Sequence, residues 1–208
     1  MFKKNLLILI LFMFISCGRV VLVPPEIDLI PIEPIGLISF SVENAKGQLG
    51  EMATQRFLQE ITMFQRGVQV IEIGPLDEVL RKINKEALDQ EAVKAIGEHF
   101  DMTSFFYGKI NVSDVKPQID IAALIQSMRV RASFNISMTG RLFSTETGAT
   151  LWTDSVYRKE SLASMSMGKD RVPYFDIRDE DETHKILIEH MIHELTRDFR
   201  PTKIRVRK

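Results

Sequence analysis

Residues 130–142, VRASFNISMTGRL, decide how this chain is read. Every even position except Gly140 is apolar: Val130, Ala132, Phe134, Ile136, Met138 and Leu142. The odd positions are Arg131, Ser133, Asn135, Ser137, Thr139 and Arg141. Side chains in a strand alternate between its faces, so the pattern predicts a strand with one buried and one wet face. The sequence Ser144-Thr145-Glu146-Thr147-Gly148 then turns the chain, and Ala149–Tyr157 returns as the partner strand of a hairpin.

Such a sheet needs an apolar cover, and the flanking sequence supplies helices on both sides. Downstream, Leu187, Ile188, Met191, Ile192, Leu195 and Phe199 mark one face of a final helix over Lys185–Phe199, closed by Pro201. The basic tail Lys203–Lys208 is expected to fray. Upstream, Thr103–Val112 reads as a strand, preceded by a helix that Asp89 caps and that runs to Phe100. Gly74-Pro75 separates a helix over Leu76–Ile83 from a strand over Val68–Ile73, whose core-facing candidates are Val68, Val70 and Ile71. Leu49, Ala53, Phe57, Ile61 and Phe64 fall on one face of a helix over Leu49–Phe64. Ile35–Val42 is the first strand, and its adjacent Leu37 and Ile38 imply burial on both faces. Two stretches stay open. Ile119–Ile125 fits a strand, a short helix or a buried loop, and Ser161–Thr183 is polar without a period. The order predicts an α/β fold: one three-layer-like domain over residues 35–200, with a mixed sheet of about five strands flanked by helices, a C-terminal hairpin and a final helix.

The amino terminus is of another kind. Lys3 and Lys4 precede the unbroken apolar run Leu6–Ile15, LLILILFMFI, closed by Ser16 and Cys17. A basic start, an apolar core of this length and a small residue before a cut define a signal peptide over residues 1–16. The run is too short for a membrane span, which takes about 20 residues. Phe14-Ile15-Ser16-Cys17-Gly18 resembles the lipobox of bacterial lipoproteins, which makes Cys17 the lipid attachment site. That resemblance implies at least two acyl chains, such as palmitate, on Cys17, and two chains hold a protein firmly where one does not. Gly18 is not the Asp that retains many such proteins in the inner membrane, so the expected place is the periplasmic face of the outer membrane. Residues 17–34 are expected to form a tether, with Pro24, Pro25, Pro31 and Pro34 holding it extended. Val20–Val23 within it either lies on the domain or adds to a sheet edge.

Composition narrows the function. Without Lys3 and Lys4 the 27 basic residues become 25, against 28 acidic, and nothing argues for a nucleic-acid partner. The single cysteine excludes an internal disulfide and a cysteine metal cluster. His190 and His193 are three apart, whereas a helical zinc-hydrolase motif sets two histidines four apart, so with His184 they read as a solvated flank. Asp176–Glu182 lacks the glycine of a calcium loop, and Gly168-Lys169 lacks the residues of a phosphate loop. No nucleophile elbow occurs. No cofactor and no small-molecule substrate is implied. Trp152, Met165 and Met167 are the candidate partner-contact residues; a packing role for Trp152 and a plain loop for the methionines are the alternatives.

Four stretches carry a wider resemblance: GLISFSVENAKG from Gly36, GVQVIEIGPLDEVLRK from Gly67, IGEHFDMTSFFYGKI from Ile96 and STETGATLWTDSV from Ser144. In order and spacing they resemble the superfamily of the curli-secretion lipoprotein CsgG, the penicillin-binding-protein activator LpoB and the amino-terminal domain of TolB. The resemblance implies an anticodon-binding-like α/β domain, as in that TolB domain, and a non-catalytic role in binding or assembly in the cell envelope. The partner would be an envelope protein or a second copy of the chain. The alternatives are a subunit of a CsgG-like secretion channel and a hydrolase that joins the His184–His193 helix to Asp154 or Asp176. A channel needs paired membrane strands of about 9–11 residues. Asp114–Met128, with Pro117, and Glu160–Glu182, rich in charge, are not expected to supply them. An LpoB-like activator would need a longer reach than this tether gives.

Overall fold

The computed structural model describes residues 19–118, 131–162, 174–175 and 183–206. In chain order the elements are β1 (Arg19–Val23), β2 (Ile35–Glu43), β3 (Lys46–Gly47), α1 (Leu49–Phe64), β4 (Val70–Gly74), α2 (Leu76–Lys82), α3 (Gln90–Phe100), β5 (Ser104–Gln118), β6 (Arg131–Ser144), β7 (Thr150–Leu162), β8 (Tyr174–Phe175), α4 (Thr183–Leu195) and β9 (Thr202–Val206). The central sheet has five strands in the order β4-β2-β5-β6-β7. β2 is parallel to both β4 and β5, and β5, β6 and β7 are antiparallel. The parallel pairs need helical crossovers, which α1 supplies from β2 to β4, and α2 with α3 from β4 to β5. Among the described residues no helix is long and apolar enough to cross a membrane.

Three adjacent pairs explain why the sheet is covered on both sides. Leu37 and Ile38, Phe105 and Phe106, Leu142 and Phe143 are all buried. Neighbours in a strand point to opposite faces, so each pair demands cover above and below. Leu37, Phe106 and Leu142 pack with Phe57 and Ile61 of α1 and with Met191 and Leu195 of α4. Ile38, Phe105 and Phe143 pack with Val79 of α2 and with Val93 and Ile96 of α3. The molecule is therefore three layers, α1/α4, sheet, α2/α3, the α/β fold the sequence predicts.

The helices follow from local chemistry. α1 covers Leu49–Phe64, the expected span, and the Gln65 N–H closes it on the Ile61 carbonyl at 2.8 Å. Asp89 caps α3, its Oδ1 accepting from the Ala92 N–H at 2.8 Å, and Asp101 ends the helix in the left-handed region at φ 56°. The interruption at Gly140 also has a cause. Gly140 pairs directly with Gly108 of β5. A Cβ at Gly108 would stand 2.3 Å from the Phe40 ring, and one at Gly140 2.9 Å from the Trp152 ring. The two glycines let aromatic rings lie on bare backbone.

Several expectations are corrected. Ile71 is 47 % exposed, because β4 is an edge strand whose buried side chain is Ile73. The last helix ends at Leu195, and Arg197–Phe199 is a 3₁₀ turn. β5 runs through Pro117 to Gln118, paired with β6 down to Arg131. Proline is tolerated because β2 leaves β5 after Asn111, so beyond that point no described strand needs an N–H from that edge of β5. The part of Asp114–Met128 that is described is thus strand, although the sequence shows no alternation there. Ile119–Ile125, Cys17, Met165, Met167, Gly168-Lys169 and Asp176–Glu182 lie outside the described residues.

The largest difference is at the termini. The tail expected to fray forms β9, which pairs antiparallel with β1, Arg19 opposite Val206 and Val23 opposite Thr202. From Pro24 to Pro34 the expected tether lies on the domain, with Leu29 wholly buried. The Gln65 side chain holds it. Its Oε1 accepts from the Leu29 N–H at 3.2 Å, and its Nε2 donates to the carbonyls of Ile27 and Phe199, both at 2.9 Å. Burying an unpaired polar group costs about 1–3 kcal/mol, so Gln65→Leu, which orphans three backbone groups, is expected to lower stability by about 2–4 kcal/mol. Chemical denaturation of the two proteins measures this, and an unchanged midpoint would refute the clamp.

Candidate functional site

Two surfaces of the fold have the geometry of a site. The first is the sheet face that carries α2 and α3. Its second core ends at Ile38, Phe105 and Phe143, and the rows beyond it are polar. The register sets Ser41, Lys109, Thr139 and Ser155 side by side, and next to them Glu43, Asn111, Ser137 and Tyr157. Lys109, Ser155 and Tyr157 are exposed, and Ser41, Asn111, Ser137 and Thr139 half-buried. The groups are ordered by mutual hydrogen bonds. The Ser41 hydroxyl lies 3.0 Å from that of Tyr107, Thr139 Oγ1 lies 2.9 Å from Ser155 Oγ, and Asn44 Nδ2 donates to Asn111 Oδ1 at 3.0 Å. Lys109 Nζ meets Glu43 Oε1 at 2.8 Å, and that hydrogen bond holds the lysine above its ordinary pKa. Hydroxyls, amides and a paired charge can bind a polar surface; none is an activated nucleophile with a base in reach.

The second is the seam between α1 and α4. A cleft of about 500 Å³ opens there, lined by Glu51, Gln55, Arg56, Lys185 and Glu189 around Met52 and Ile188. Arg56 continues inward. It donates to Glu60 Oε1 at 3.0 Å and lies 3.8 Å from Glu189. Glu60 is only 2 % exposed, and its Oε2 stands 3.3 Å from His193 Nδ1. Arg200 lies against the His193 ring, donates to the His193 carbonyl and stacks over Phe64 at 5.7 Å. Burial pushes the Arg200 guanidinium below its ordinary pKa, while Glu60 pulls it back. The sequence carried one overlooked signal for this cluster. Glu60 stands between Phe57 and Phe64 on the apolar stripe of α1, where a carboxylate requires a cation.

The structure separates the sequence-derived candidates. Trp152, a candidate contact, is a core residue here at 7 % exposure. Its ring meets Phe106 and Phe199 edge to face, and its Nε1 donates to Asp198 Oδ2 at 3.0 Å. Buried tryptophan needs such a partner, and the whole ring is used in making the core. His190 is exposed. The acid that His193 meets is Glu60, not Asp154, whose Oδ1 accepts from the Ser155 N–H. Glu194 pairs with Arg158 of β7. Among the described residues no group of three His, Cys, Asp or Glu gathers as a metal site.

Comparison with known proteins leaves the family open. No family model matches the chain, and no curated protein is similar to it in sequence. Among solved structures it is similar to the PelC dodecamer of Paraburkholderia phytofirmans, with TM-score 0.46 and 10 % identity over 92 % of this chain and 100 % of that one. A lipoprotein of Neisseria meningitidis is similar at TM-score 0.40 and 13 % identity over 78 % and 96 %. The LpoB C-terminal domain of Salmonella enterica follows at TM-score 0.35 and 8 % identity over 62 % and 84 %.

The seam is directly testable. Glu60→Gln keeps the shape but removes the charge that faces Arg56. Losing one partner of a buried pair costs several kcal/mol, and Arg56 at 26 % exposure reduces this, so a loss of about 1–3 kcal/mol is expected. Denaturation at neutral pH reads it, and an unchanged midpoint would show the cluster to be incidental.

Proposed function

We propose that this protein is a lipid-anchored, non-catalytic binding or assembly protein of the bacterial cell envelope. It is held through Cys17 at the periplasmic face of the outer membrane, and it recognises an envelope protein or another copy of itself. One observation carries the reading. The lipobox-like Phe14-Ile15-Ser16-Cys17-Gly18 runs directly into a folded unit, since β1 begins at Arg19. A further support is how the charged groups are engaged. Glu60 meets Arg56 and His193, Glu43 meets Lys109, Glu194 meets Arg158 and Glu91 meets Lys85. These are the contacts of a scaffold, and the exposed polar rows of the sheet are the surface left for recognition. Met165 and Met167 remain candidate contacts of that partner.

The test is acylation. The mature protein, isolated from bacterial membranes, is expected to carry acyl chains on Cys17 by mass spectrometry. Cys17→Ser without residues 1–16 is expected to be unacylated and to leave the membrane fraction. An unmodified mature chain, or membrane binding that survives Cys17→Ser, would sink the reading.

A secretion channel resembling CsgG is the second reading, and one observation favours it. β5, β6 and β7 span 15, 14 and 13 residues, longer than the roughly 9–11 that a membrane strand needs. The size of the acylated protein in mild detergent decides between the two. A monomer that matches the soluble Cys17→Ser protein ends the channel; a large heat-resistant ring formed only by the acylated protein establishes it.

A further inference from the structure

Five large apolar side chains in contact with solvent sit on two short strands, Val20, Val21 and Leu22 of β1 and Ile204 and Val206 of β9. Leu22 is 60 % exposed and Ile204 50 %. Among the side chains of the two strands whose burial is described, Val23, where the ribbon meets the domain, is the half-buried one. The register sets Val21 opposite Ile204, Val20 opposite Arg205 and Leu22 opposite Lys203. Alternation then gives the ribbon two unlike faces. Val21, Ile204 and Val206 dominate one, with Val23 and Thr202 at its domain end and Arg19 opposite Val206 at its outer end; Val20 and Leu22 share the other with Lys203 and Arg205. A two-stranded ribbon with both faces in water is marginal at best.

What covers it follows from chain length and charge, given the lipid anchor proposed above. Gly18 alone separates Cys17 from β1, so the Arg19 Cα lies within about 8 Å of the Cys17 Cα. With acyl chains on Cys17 the Arg19/Val206 end of the ribbon cannot leave the headgroup layer, and laying the ribbon flat there covers its apolar face. An apolar face buries about 5–10 Å into that layer, which brings the opposite face to the level of the phosphates. There Lys203 and Arg205 meet anionic groups, and their aliphatic stems lie along Val20 and Leu22. The sequence adds Arg207 and Lys208 directly afterwards.

We propose that the β1/β9 ribbon seats the domain on an anionic lipid bilayer, with Val21, Ile204 and Val206 in the interface and Lys203 and Arg205 on lipid phosphates. The test uses the acylated protein in vesicles of phosphatidylethanolamine and phosphatidylglycerol. Because the only native cysteine is Cys17, a polarity-sensitive fluorophore reports solely on an introduced Ile204→Cys, Val21→Cys or, as an exposed α1 control, Met63→Cys. The labels at 204 and 21 are expected to shift to the blue, to be quenched by nitroxide lipid and to lose quenching by aqueous acrylamide; the label at 63 is expected to do none of these. If the label at 204 stays as open to acrylamide as that at 63 while the acylated protein remains on the vesicles, the ribbon is not a seat although the anchor stands. A mature chain without acyl groups removes anchor and seat together. Shielding already present in lipid-free Cys17→Ser protein assigns the face to contact between copies and overturns the proposal.

Discussion

The whole arrangement depends on one carboxamide. Gln65 follows the last turn of α1, is nearly buried, and uses its oxygen and both N–H bonds on backbone groups of Ile27, Leu29 and Phe199. Those groups belong to segments far apart in sequence, so no local rule could pair them. Buried peptide groups need partners, and here a single side chain serves the incoming and the outgoing chain at once. The Ile27 N–H adds a bond to the Asp198 carbonyl at 3.1 Å, and Asp198 in turn receives the Trp152 Nε1. The two ends of the domain are thereby fixed to α1 and to β7, and the β1/β9 ribbon projects from that junction.

The sheet obeys a second constraint, set by its aromatic residues. Phe40, Phe57, Phe106, Trp152 and Phe199 form a chain of tilted and edge-to-face contacts under α1 and α4. Aromatic rings need depth, and the facing pair Gly108 and Gly140 supplies it at the middle of the sheet. On the opposite face the stacked pair Phe105 and Phe143 closes the smaller core, beyond which the strands turn to serine, threonine and asparagine. Among the described residues one face is packed with apolar side chains, and the other leaves ordered polar rows exposed or half-buried.

The parts of this fold that were legible in the sequence are those with a local period. Val130–Leu142 alternated and became β6; Leu49, Ala53, Phe57 and Ile61 recurred every four residues and became the buried face of α1; Asp89 capped the helix it preceded. Leu37 beside Ile38 correctly required cover on both faces. What escaped reading was non-local. Nothing in VVLV or TKIRV marks them as partners across nearly the whole chain, and four prolines read as a spacer when the segment is held by Gln65. Pro117 argued against a strand, but whether proline is tolerated depends on which strand lies alongside, and β2 has already ended there. Glu60 was legible in principle, since a carboxylate on an apolar stripe needs a cation and Arg56 stands one turn before it, but its other contact, His193, lies at the far end of the chain.

The same distinction bears on function. A catalytic centre announces itself by residue types at fixed spacing, because bond-making needs a nucleophile, a base and a stabilising group within a few ångströms. A recognition surface needs only complementary area, which leaves no motif. In this chain the one sharp motif is the lipobox-like stretch at Cys17, and the described residues of the folded domain present ordered but chemically ordinary groups. An anchor and a bare recognition face are mutually useful. Tethering at a bilayer confines a surface to a thin layer and raises its effective concentration toward anything confined there with it. That gain depends on the orientation of the domain as well as on its attachment. With the anchor proposed above, a free spacer between Cys17 and the fold would let the polar rows point anywhere, whereas residues 24–34 lie on the domain and would leave only Gly18 and the paired ribbon between that anchor and the core. On that proposal the docked amino-terminal segment would do for orientation what the acyl chains would do for location.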